Sequence, residues 1–527
     1  MGAPTLAGRC SAADRGLEVS AALLAAVTGL ALLSEYREFF HDDAYITLRY
    51  ASRWLAGRGL SWNDGDSVEG FTHHLWLFQV SGLGAAGIDL VAAARGLGVA
   101  SFVALVAVWR PAGASWVTAP LVATAPPLLL WAWGGLETVN FCLWLVLATA
   151  TTERLHRRPD AGGAAPLLAG GAFAAAALLR PEGLALGLLA ALFLAFDKRT
   201  RAARLTATGL LVPCLAYLAF RLAWFGELLP NSAEAKLGGM PMLDVLGAGA
   251  GYLARTWPAW IPAAGVAGLG VLLRPKAPYR LELFALALLA AAGLSGGDHM
   301  PGARFAAPAA VLFGFAAGVR ILPLQWPRKL AAFAGVLVAL GLQALLATQV
   351  PRVLDPAARV GEHVGRFLAA ALPPGTLVAT ATAGATPYYA PDLAFLDTLG
   401  LNDRHVARRD PVPLETRWQG APGHRKGDGA YVLEREPAVV ILGPAEGYTG
   451  APARAWFLTD FELATSSEFH DRYAPYRYTL PNGSGTPVVL TLYLRRDTPE
   501  TRELSARGTP LEAPRPGPDP RNGSSAP

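Results

Sequence analysis

The sequence predicts a polytopic α-helical membrane protein that carries a C-terminal α/β domain outside the bilayer. The 527-residue chain is 53% hydrophobic and only 16% charged, with a mean hydropathy of +0.33. Such a chain is too apolar to be an ordinary soluble protein of this length. Long apolar runs fill the sequence up to about residue 349, and the remainder is typical of soluble sequence.

The membrane part, residues 1–349, contains apolar runs of roughly the ~20 residues that an α-helix needs to cross a bilayer. We expect about 11 spans, near residues 19–34, 96–110, 115–133, 138–152, 164–179, 183–196, 205–223, 257–273, 281–295, 305–319 and 330–349. The first run is predicted to be a retained span, because no small-residue cleavage site follows it. Segment 75–93 contains Asp89 and precedes Arg95, and we expect it to be a re-entrant or juxtamembrane helix.

The segments between the runs are of two kinds. One kind is basic and is expected to face the cytoplasm by the positive-inside rule, at residues 109–113, 153–158, 197–204, 274–280 and 320–329. The other kind holds mixed polar and aromatic residues, at 41–45, 133–138, 180–183, 226–236 and 296–305. If the chain starts inside and crosses at each run, this second kind and the C-terminal domain all lie on the outer face.

The soluble part is predicted to be an α/β domain over residues 350–497, followed by a disordered tail over 498–527. A helical stretch at about 355–371 is followed by segments 437–443 and 487–496, which are dense in β-branched residues and typical of strands. The tail is rich in Pro, Gly and Ser. Scarce Lys beside abundant Arg, Ala, Gly and Pro suggests a bacterial source, which would place the chain in the cytoplasmic membrane.

Several function classes are not indicated. The net charge of +5 does not predict a nucleic-acid partner, because the arginines lie mainly between apolar runs. Three cysteines without a C-x-x-C pair imply neither a disulfide framework nor a zinc site. His73 and His74 have no second ligand set at helical spacing, so no metal or other cofactor is predicted, although a divalent cation stays open. No phosphate loop for a nucleotide is present in the sequence.

Asp42 and Asp43 are the candidate catalytic residues. Two adjacent carboxylates at a membrane boundary, beside His41 and near Arg49 and Arg53, would supply one general base and one group that orients substrate or holds a cation. The alternative is that the pair only caps the helix that follows, since Asp is a favoured N-cap residue.

Cations and polar residues of the outer face supply the remaining candidates. Lys236, His299 and Arg304 would hold a phosphate at the bilayer surface, unless their side chains only extend to lipid headgroups. Arg180 and Glu182 lie at a corner between two apolar runs, where ionised groups are costly unless paired or used. For Glu182 and Glu137 a structural role is favoured, and Asn231 has the alternative of shaping a turn after Pro230.

The string DDAYITLRYASRWLAGRGLSWNDGDSVEGFTHHLW, residues 42–76, resembles the first extracytoplasmic loop of GT-C-type glycosyltransferases that use polyprenyl-phosphate sugars. The branch it resembles contains the mycobacterial terminal β-1,2-arabinofuranosyltransferases. The similarity continues in the same order through GGLET, RPEG, GELLPNSAEAK, GGDHMPGARF, PYYAPDLAFLDTLGLNDRHVARR and GHRKGDGAYVLEREPAVVIL.

The resemblance implies a GT-C-like enzyme with its site at the outer membrane face, a polyprenyl-phosphate sugar donor and a cell-envelope glycan acceptor. An acidic residue of the first loop serves as catalytic base in that family, which corresponds to Asp42 or Asp43. Arabinofuranose is the expected sugar, and transfer is expected to invert the anomeric carbon. The donor phosphate is assigned to Arg304, Lys236, Arg180 and His299. Substrate binding is assigned to Glu69, His73, Asn231, Asp298, Tyr388 and Tyr389.

Two alternatives to an enzyme remain at this point. A transporter or flippase of a lipid-linked envelope precursor would also have many spans, but such proteins commonly show internal repeats and charges near the middle of the membrane. No repeat is obvious in this sequence, and its charges cluster at one face. The second alternative is a non-catalytic scaffold for envelope assembly. For Tyr388 and Tyr389 the alternative is that they are core residues of the soluble domain.

Overall fold

The computed structural model describes residues 12–157, 163–325, 328–412, 423–444, 455–481, 487–496 and 498–512. The membrane part consists of helices joined by short connections, with a 3₁₀ turn at Pro301–Ala303. Its α-helices are α1 (Ala12–Ser34), α2 (Asp42–Leu55), α3 (His74–Ala85), α4 (Leu90–Ala107), α5 (Thr118–Ala123), α6 (Pro126–Trp133), α7 (Thr138–Arg157), α8 (Ala165–Leu179), α9 (Glu182–Phe196), α10 (Thr200–Phe225), α11 (Asn231–Leu237), α12 (Met242–Leu273), α13 (Arg280–Leu294), α14 (Ala307–Ile321) and α15 (Arg328–Ala347).

By length and composition, four helices of the described chain could cross a membrane: α4, α10, α12 and α15. A fifth crossing is available if α6 and α7, which meet at 118° across a short break, form one span. Part of α1 (Leu23–Ser34), α8, α9 and α14 are apolar but shorter. The number of about 11 spans therefore stays a prediction. Segment 75–93 is divided between α3 and the first residues of α4, so its expected form as one re-entrant or juxtamembrane helix stays a prediction as well.

The membrane helices share one core and leave apolar side chains on their outer surface. Trp131, Phe141 and Leu312 are fully buried in the largest apolar cluster, where α6, α7 and α14 meet. By contrast, Leu243 and Leu272 of α12 remain about four-fifths exposed. Apolar side chains that stay exposed on long apolar helices are what a lipid environment requires.

The soluble part contains α16 (Pro356–Ala371), α17 (Ala385–Tyr388), α18 (Arg404–Arg408), α19 (Gly429–Arg435), α20 (Leu458–Thr465) and α21 (Ser467–Arg472). The strands are β1 (Leu377–Thr380), β2 (Ala394–Asp397), β3 (Val439–Ile441), β4 (Tyr473–Leu480) and β5 (Val488–Arg495). They form one mixed sheet in the order β2-β1-β3-β5-β4. Strand β1 runs parallel to β2 and β3, and β5 runs antiparallel to β3 and β4.

The start of the predicted tail needs correction. Residues 498–512 continue the domain with a 3₁₀ turn, α22 (Arg502–Arg507) and a short strand β6 (Thr509–Pro510) that pairs with β4. Leu504 is fully buried in the sheet core, and Tyr478 donates a hydrogen bond to its carbonyl oxygen at 2.9 Å. This polar-looking segment is therefore docked by a buried leucine, a hydrogen bond and a short strand pairing. The rest of the predicted tail, residues 513–527, lies outside the described residues.

The sheet presents the carboxyl ends of β1 and β2 to the first loop. The segment after β1 reaches α2, and the segment after β2 reaches α11, so both join the soluble domain to the membrane part. Ligand sites of open α/β sheets lie beyond the carboxyl ends of parallel strands. This arrangement places the polar residues of the first loop between the helix bundle and the domain.

Candidate active site

A cavity of about 450 Å³ lies at the end of the helix bundle that faces the soluble domain. Its wall is formed by the first loop, the α6–α7 and α8–α9 connections, α11 and the α13–α14 connection. Six of the residues that the sequence assigned to catalysis or binding line it: Asp43, His73, Arg180, Lys236, Asp298 and Arg304. Segments that are far apart in the sequence are thus brought together as expected.

The two adjacent aspartates occupy the first turn of α2 and point to different neighbours. His41 is the N-cap, and its Nδ1 accepts a hydrogen bond from the amide of Asp43 at 3.2 Å. Carboxylates in a first turn are also stabilised by the helix dipole. Because consecutive helical residues are about 100° apart around the axis, the two side chains face different surroundings.

Asp42 is directed at the soluble domain. Its Oδ1 accepts a hydrogen bond from the amide of Ala385 at 2.8 Å, and the residue is only 6% exposed. A Cβ at Gly384 would lie 2.1 Å from the Asp42 carbonyl oxygen, so this approach requires glycine. Burial raises the pKa of Asp42 to about 8, and the nearby Asp355 adds to the rise. Asp42 therefore joins α2 to the domain and has no access to the cavity.

Asp43 faces the cavity, with 29% of its side chain exposed. Burial opposes its ionisation, but His41, His299, Lys236 and Arg304 together hold the pKa of its carboxyl below the ordinary value. It is thus an ionised carboxylate at neutral pH that a substrate can reach. Of the two predicted catalytic residues, the geometry favours Asp43 as general base.

The cations beside Asp43 differ in how they are paired. Arg304 donates from Nε to Asp298 at 2.9 Å, and His299 lies 3.8 Å from the same carboxylate. Lys236 forms no ion pair within 4.0 Å in the part of the chain that the structure describes. Burial and the neighbouring Arg304 lower its pKa, while Asp298 and Asp43 oppose that effect. An unpaired cation in a cavity wall is suited to an anionic ligand.

Arg180 is already paired, unlike Lys236. It ends α8 at the corner predicted from RPEG, and its Nη2 donates to Glu182 at 2.7 Å. Its Nη1 lies 3.7 Å from Glu137, and its guanidinium stacks over the Phe305 ring at 4.2 Å. A donor phosphate bound at Arg180, as predicted, would therefore compete with the two carboxylates that already contact this guanidinium.

His73 lies between the first loop and the α6–α7 connection. Its Nε2 forms a short hydrogen bond with the hydroxyl of Thr47, and its Nδ1 is 3.4 Å from Glu137. Burial lowers the pKa of His73 to about 4, although Glu137 opposes the shift. The imidazole is therefore neutral at physiological pH.

Glu69 is not in the cavity, in contrast to its predicted role in substrate binding. It is 2% exposed and accepts hydrogen bonds from His74 and from the hydroxyl of Tyr217, the latter at 2.7 Å. Arg221 pairs with its other oxygen at 2.8 Å. These contacts join the first loop to α10, since a buried carboxylate needs such partners to stay charged.

Asn231 is also a structural contact rather than a cavity residue. Its Nδ2 donates to the carbonyl oxygens of Gly400 and Leu401 at 2.8 and 2.9 Å. Asn231 begins α11, so these bonds join that helix to the segment after β2. The assignment of Asn231 to substrate and the alternative of shaping a turn after Pro230 both stay predictions.

Tyr388 and Tyr389 pack against α2 and do not line the cavity. Their rings lie 5.2 and 5.5 Å from the Tyr45 ring, and Arg366 stacks over Tyr389 at 4.5 Å. Their assignment to substrate binding stays a prediction. The aromatic contacts hold α17 against the helix that carries Asp43.

A second cavity, of about 670 Å³, adjoins the first at Asp298. His299 lines this second cavity, together with Tyr252 and Arg255 of α12. Sequence reasoning missed Arg255, because the predicted span began at residue 257, whereas α12 starts at Met242. Thr47 was missed as well, although it follows Asp43 by one helical turn and so lies on the same face.

No metal-ligand set is evident in the described ranges. Among those residues, no group of three or more His, Cys, Asp or Glu side chains is placed to hold a metal ion. In the first cavity the carboxylates lie among arginine and lysine side chains instead of forming such a group. Whether a divalent cation takes part stays open, as in the sequence-based prediction.

The chain is similar to several known proteins. A family model described as "Domain of unknown function (DUF8728)" matches residues 352–481. The terminal β-(1→2)-arabinofuranosyltransferase of Mycobacterium tuberculosis is 29% identical over 295 residues, which are 48% of this chain. That match covers 44% of the mycobacterial protein, so the chain spans less than half the length of this curated relative.

Solved structures extend the comparison to nearly the whole chain. The archaeal oligosaccharyltransferase AglB from Archaeoglobus fulgidus, in complex with an inhibitory peptide and a dolichol-phosphate, has a TM-score of 0.51 and 12% identity. The alignment covers 95% of this chain and 77% of AglB. ArnT from Cupriavidus metallidurans bound to undecaprenyl phosphate has a TM-score of 0.44 and 15% identity, with 73% and 86% covered.

The likeness to AglB confirms the predicted fold class, a polytopic GT-C-like membrane protein with an α/β domain. The match to the mycobacterial relative agrees with the resemblance carried by the first loop and the motifs that follow it.

Proposed function

We propose that this chain is a membrane glycosyltransferase of the GT-C type, which moves a sugar from a polyprenyl-phosphate donor to a hydroxyl of a glycan acceptor. The observation that carries the proposal is the placement of Asp43 in one cavity with Lys236 and Arg304. A reachable base next to cations is what sugar transfer from a lipid phosphate requires. The relatives named above support the same chemistry.

The proposed reaction is a single displacement. A carboxylate oxygen of Asp43 removes the proton of the acceptor hydroxyl. The hydroxyl oxygen attacks the anomeric carbon as the bond between this carbon and the phosphate oxygen breaks. The polyprenyl phosphate leaves with the electron pair, and the proton remains on Asp43. Attack opposite to the leaving group inverts the anomeric carbon.

Lys236 and Arg304 are proposed to stabilise the leaving phosphate. Negative charge on the phosphate grows as the bond breaks, so fixed positive charges favour the transition state over the bound donor. Arg304 is held in place by Asp298 and needs no reorganisation during the reaction. Because the phosphate is a stable anion, the reaction needs no general acid for the leaving group.

The lipid carrier explains why the site lies where the helix bundle meets the soluble domain. A polyprenyl chain remains in the bilayer, so the reacting carbon has to stay near the headgroup level. We propose that this level is the extracytoplasmic face of a bacterial cytoplasmic membrane, with a cell-envelope glycan as acceptor. Arabinofuranose is the proposed sugar, supported by the name of the mycobacterial relative.

The test uses the full-length protein in detergent, a panel of radiolabelled polyprenyl-phosphate sugars and an envelope glycan extract. We expect covalent transfer by wild type and by Asp42→Asn, and none by Asp43→Asn in a folded protein. Transfer by Asp43→Asn at the wild-type rate would refute the assignment of the base. Movement of labelled lipid across vesicles without any transfer would favour the transporter instead.

A further inference from the structure

We propose that Glu137 and Glu182, held together by Arg180, form a subsite that binds hydroxyl groups of the donor sugar and so selects which sugar is transferred. The inference rests on the proposed function and adds the recognition of the sugar to it. Both glutamates line the first cavity beside Arg180. The proposal assigns a ligand to two residues for which the sequence favoured a purely structural role.

Each carboxylate has one oxygen that accepts no hydrogen bond. The Oε1 atoms of Glu182 and Glu137 face Arg180 at 2.7 and 3.7 Å. Both Oε2 atoms are buried, and no residue of the described chain donates a hydrogen bond to either of them; Nδ1 of His73 lies 3.4 Å from that of Glu137. The side chain of Glu137 is only 4% exposed. A buried acceptor without a donor is costly, so a ligand that donates hydrogen bonds would satisfy both.

The charge of the subsite favours hydroxyls over phosphate. Two carboxylates surround one guanidinium, and His73, which is 3.4 Å from Glu137, is neutral at physiological pH. The group therefore carries one net negative charge, which repels an anion. Carboxylate oxygens accept strong hydrogen bonds from neutral donors such as sugar hydroxyls.

The cations of the same cavity lie close to this group. Lys236 and Arg304 line the cavity together with Asp43 and the two glutamates. The guanidinium groups of Arg304 and Arg180 both stack over the Phe305 ring, at 5.0 and 4.2 Å. A sugar and its phosphate are joined by a single glycosidic oxygen. One donor headgroup can therefore place its phosphate at Lys236 and its ring hydroxyls at the two glutamates.

The experiment compares two lipids on the same variants. The full-length protein is titrated with the polyprenyl-phosphate sugar that wild type turns over, and with the same polyprenyl phosphate without sugar. Glu137→Gln and Glu182→Gln should each weaken binding of the sugar-bearing lipid about tenfold, because a neutral amide accepts a weaker hydrogen bond than a carboxylate. The sugar-free lipid should bind within about twofold of wild type, and this also verifies folding.

The exposed Glu434→Gln on α19 is the matched control for loss of one carboxylate, and it should change neither affinity. Equal weakening of both lipids in the glutamate variants, or no change in either, would overturn the subsite. An increase confined to the KM of the acceptor would overturn the assignment to the donor sugar. If wild type binds neither lipid, the proposed function itself fails, and the subsite fails with it.

Discussion

Lys236→Met tests the electrostatic part of the proposed mechanism with little change in shape. Lys236 is the wall cation without an ion pair in the described chain, and methionine keeps the apolar stem while removing the charge. Two unit charges about 4 Å apart interact by about 4 kcal/mol at an effective dielectric constant of ~20. Since ~1.4 kcal/mol corresponds to tenfold in rate, we expect kcat/KM to fall about 100- to 1000-fold.

Stability should not fall in this variant. Burial and Arg304 both lower the pKa of Lys236, so the folded protein holds this charge at a cost, which methionine removes. The assay is initial-rate transfer from the polyprenyl-phosphate sugar at several donor concentrations, with the thermal midpoint measured in parallel. Lys276→Met, on an exposed loop, is the control for loss of one positive charge and should retain wild-type kinetics.

Lys236→Arg should restore part of the activity, because guanidinium also binds phosphate. A folded Lys236→Met protein whose kcat/KM stays within about tenfold of wild type would refute the reasoning, since a loss that small corresponds to only ~1.4 kcal/mol. The phosphate would then have to be stabilised elsewhere in the cavity.

Three further predictions concern the contacts between the membrane part and the soluble domain. Gly384→Ala should lower stability by about 1–3 kcal/mol, because the new methyl overlaps Asp42; an unchanged thermal midpoint would contradict this. Asp42→Asn should flatten the pH dependence of stability. Because the pKa of Asp42 is raised, the folded state keeps a proton that the unfolded state has lost. Wild-type stability should therefore fall from about pH 4 to pH 8. An equally steep fall in the variant would refute the assignment of this pH dependence to Asp42. Asn231→Ala should cost about 1–3 kcal/mol by leaving the carbonyls of Gly400 and Leu401 unpaired, as measured by chemical denaturation.

The sequence identified the cavity better than it identified roles within it. Local patterns are enough to predict apolar helices, and positive-inside segments place the polar motifs on one face. That face supplies six of the predicted residues to one cavity. The direction in which a side chain points depends on partners far away in the sequence. This is why Asp42 and Asp43 were indistinguishable before the position of Ala385 was known.

Three of the assignments share one physical basis. Glu69, Asn231 and Tyr389 were assigned to substrate because polar and aromatic residues on a functional face attract that interpretation. The structure gives each of them a contact within the protein, with Tyr217, Gly400 and Tyr45 respectively, and none of them lines the cavity. Conversely, Glu137 was assigned a structural role from the glycines before it. Its contacts with Arg180 and His73 agree with such a role, and its position in the cavity supports the subsite proposed above.

The contact between Asp42 and Ala385 also has a consequence in time. The two residues are 343 positions apart, and ribosomes add about 5–20 residues per second. The first loop therefore emerges tens of seconds before the backbone that fixes its helix has been made. Throughout that interval α2 lacks the hydrogen bond that joins it to the soluble domain, so this part of the site is completed only late in synthesis.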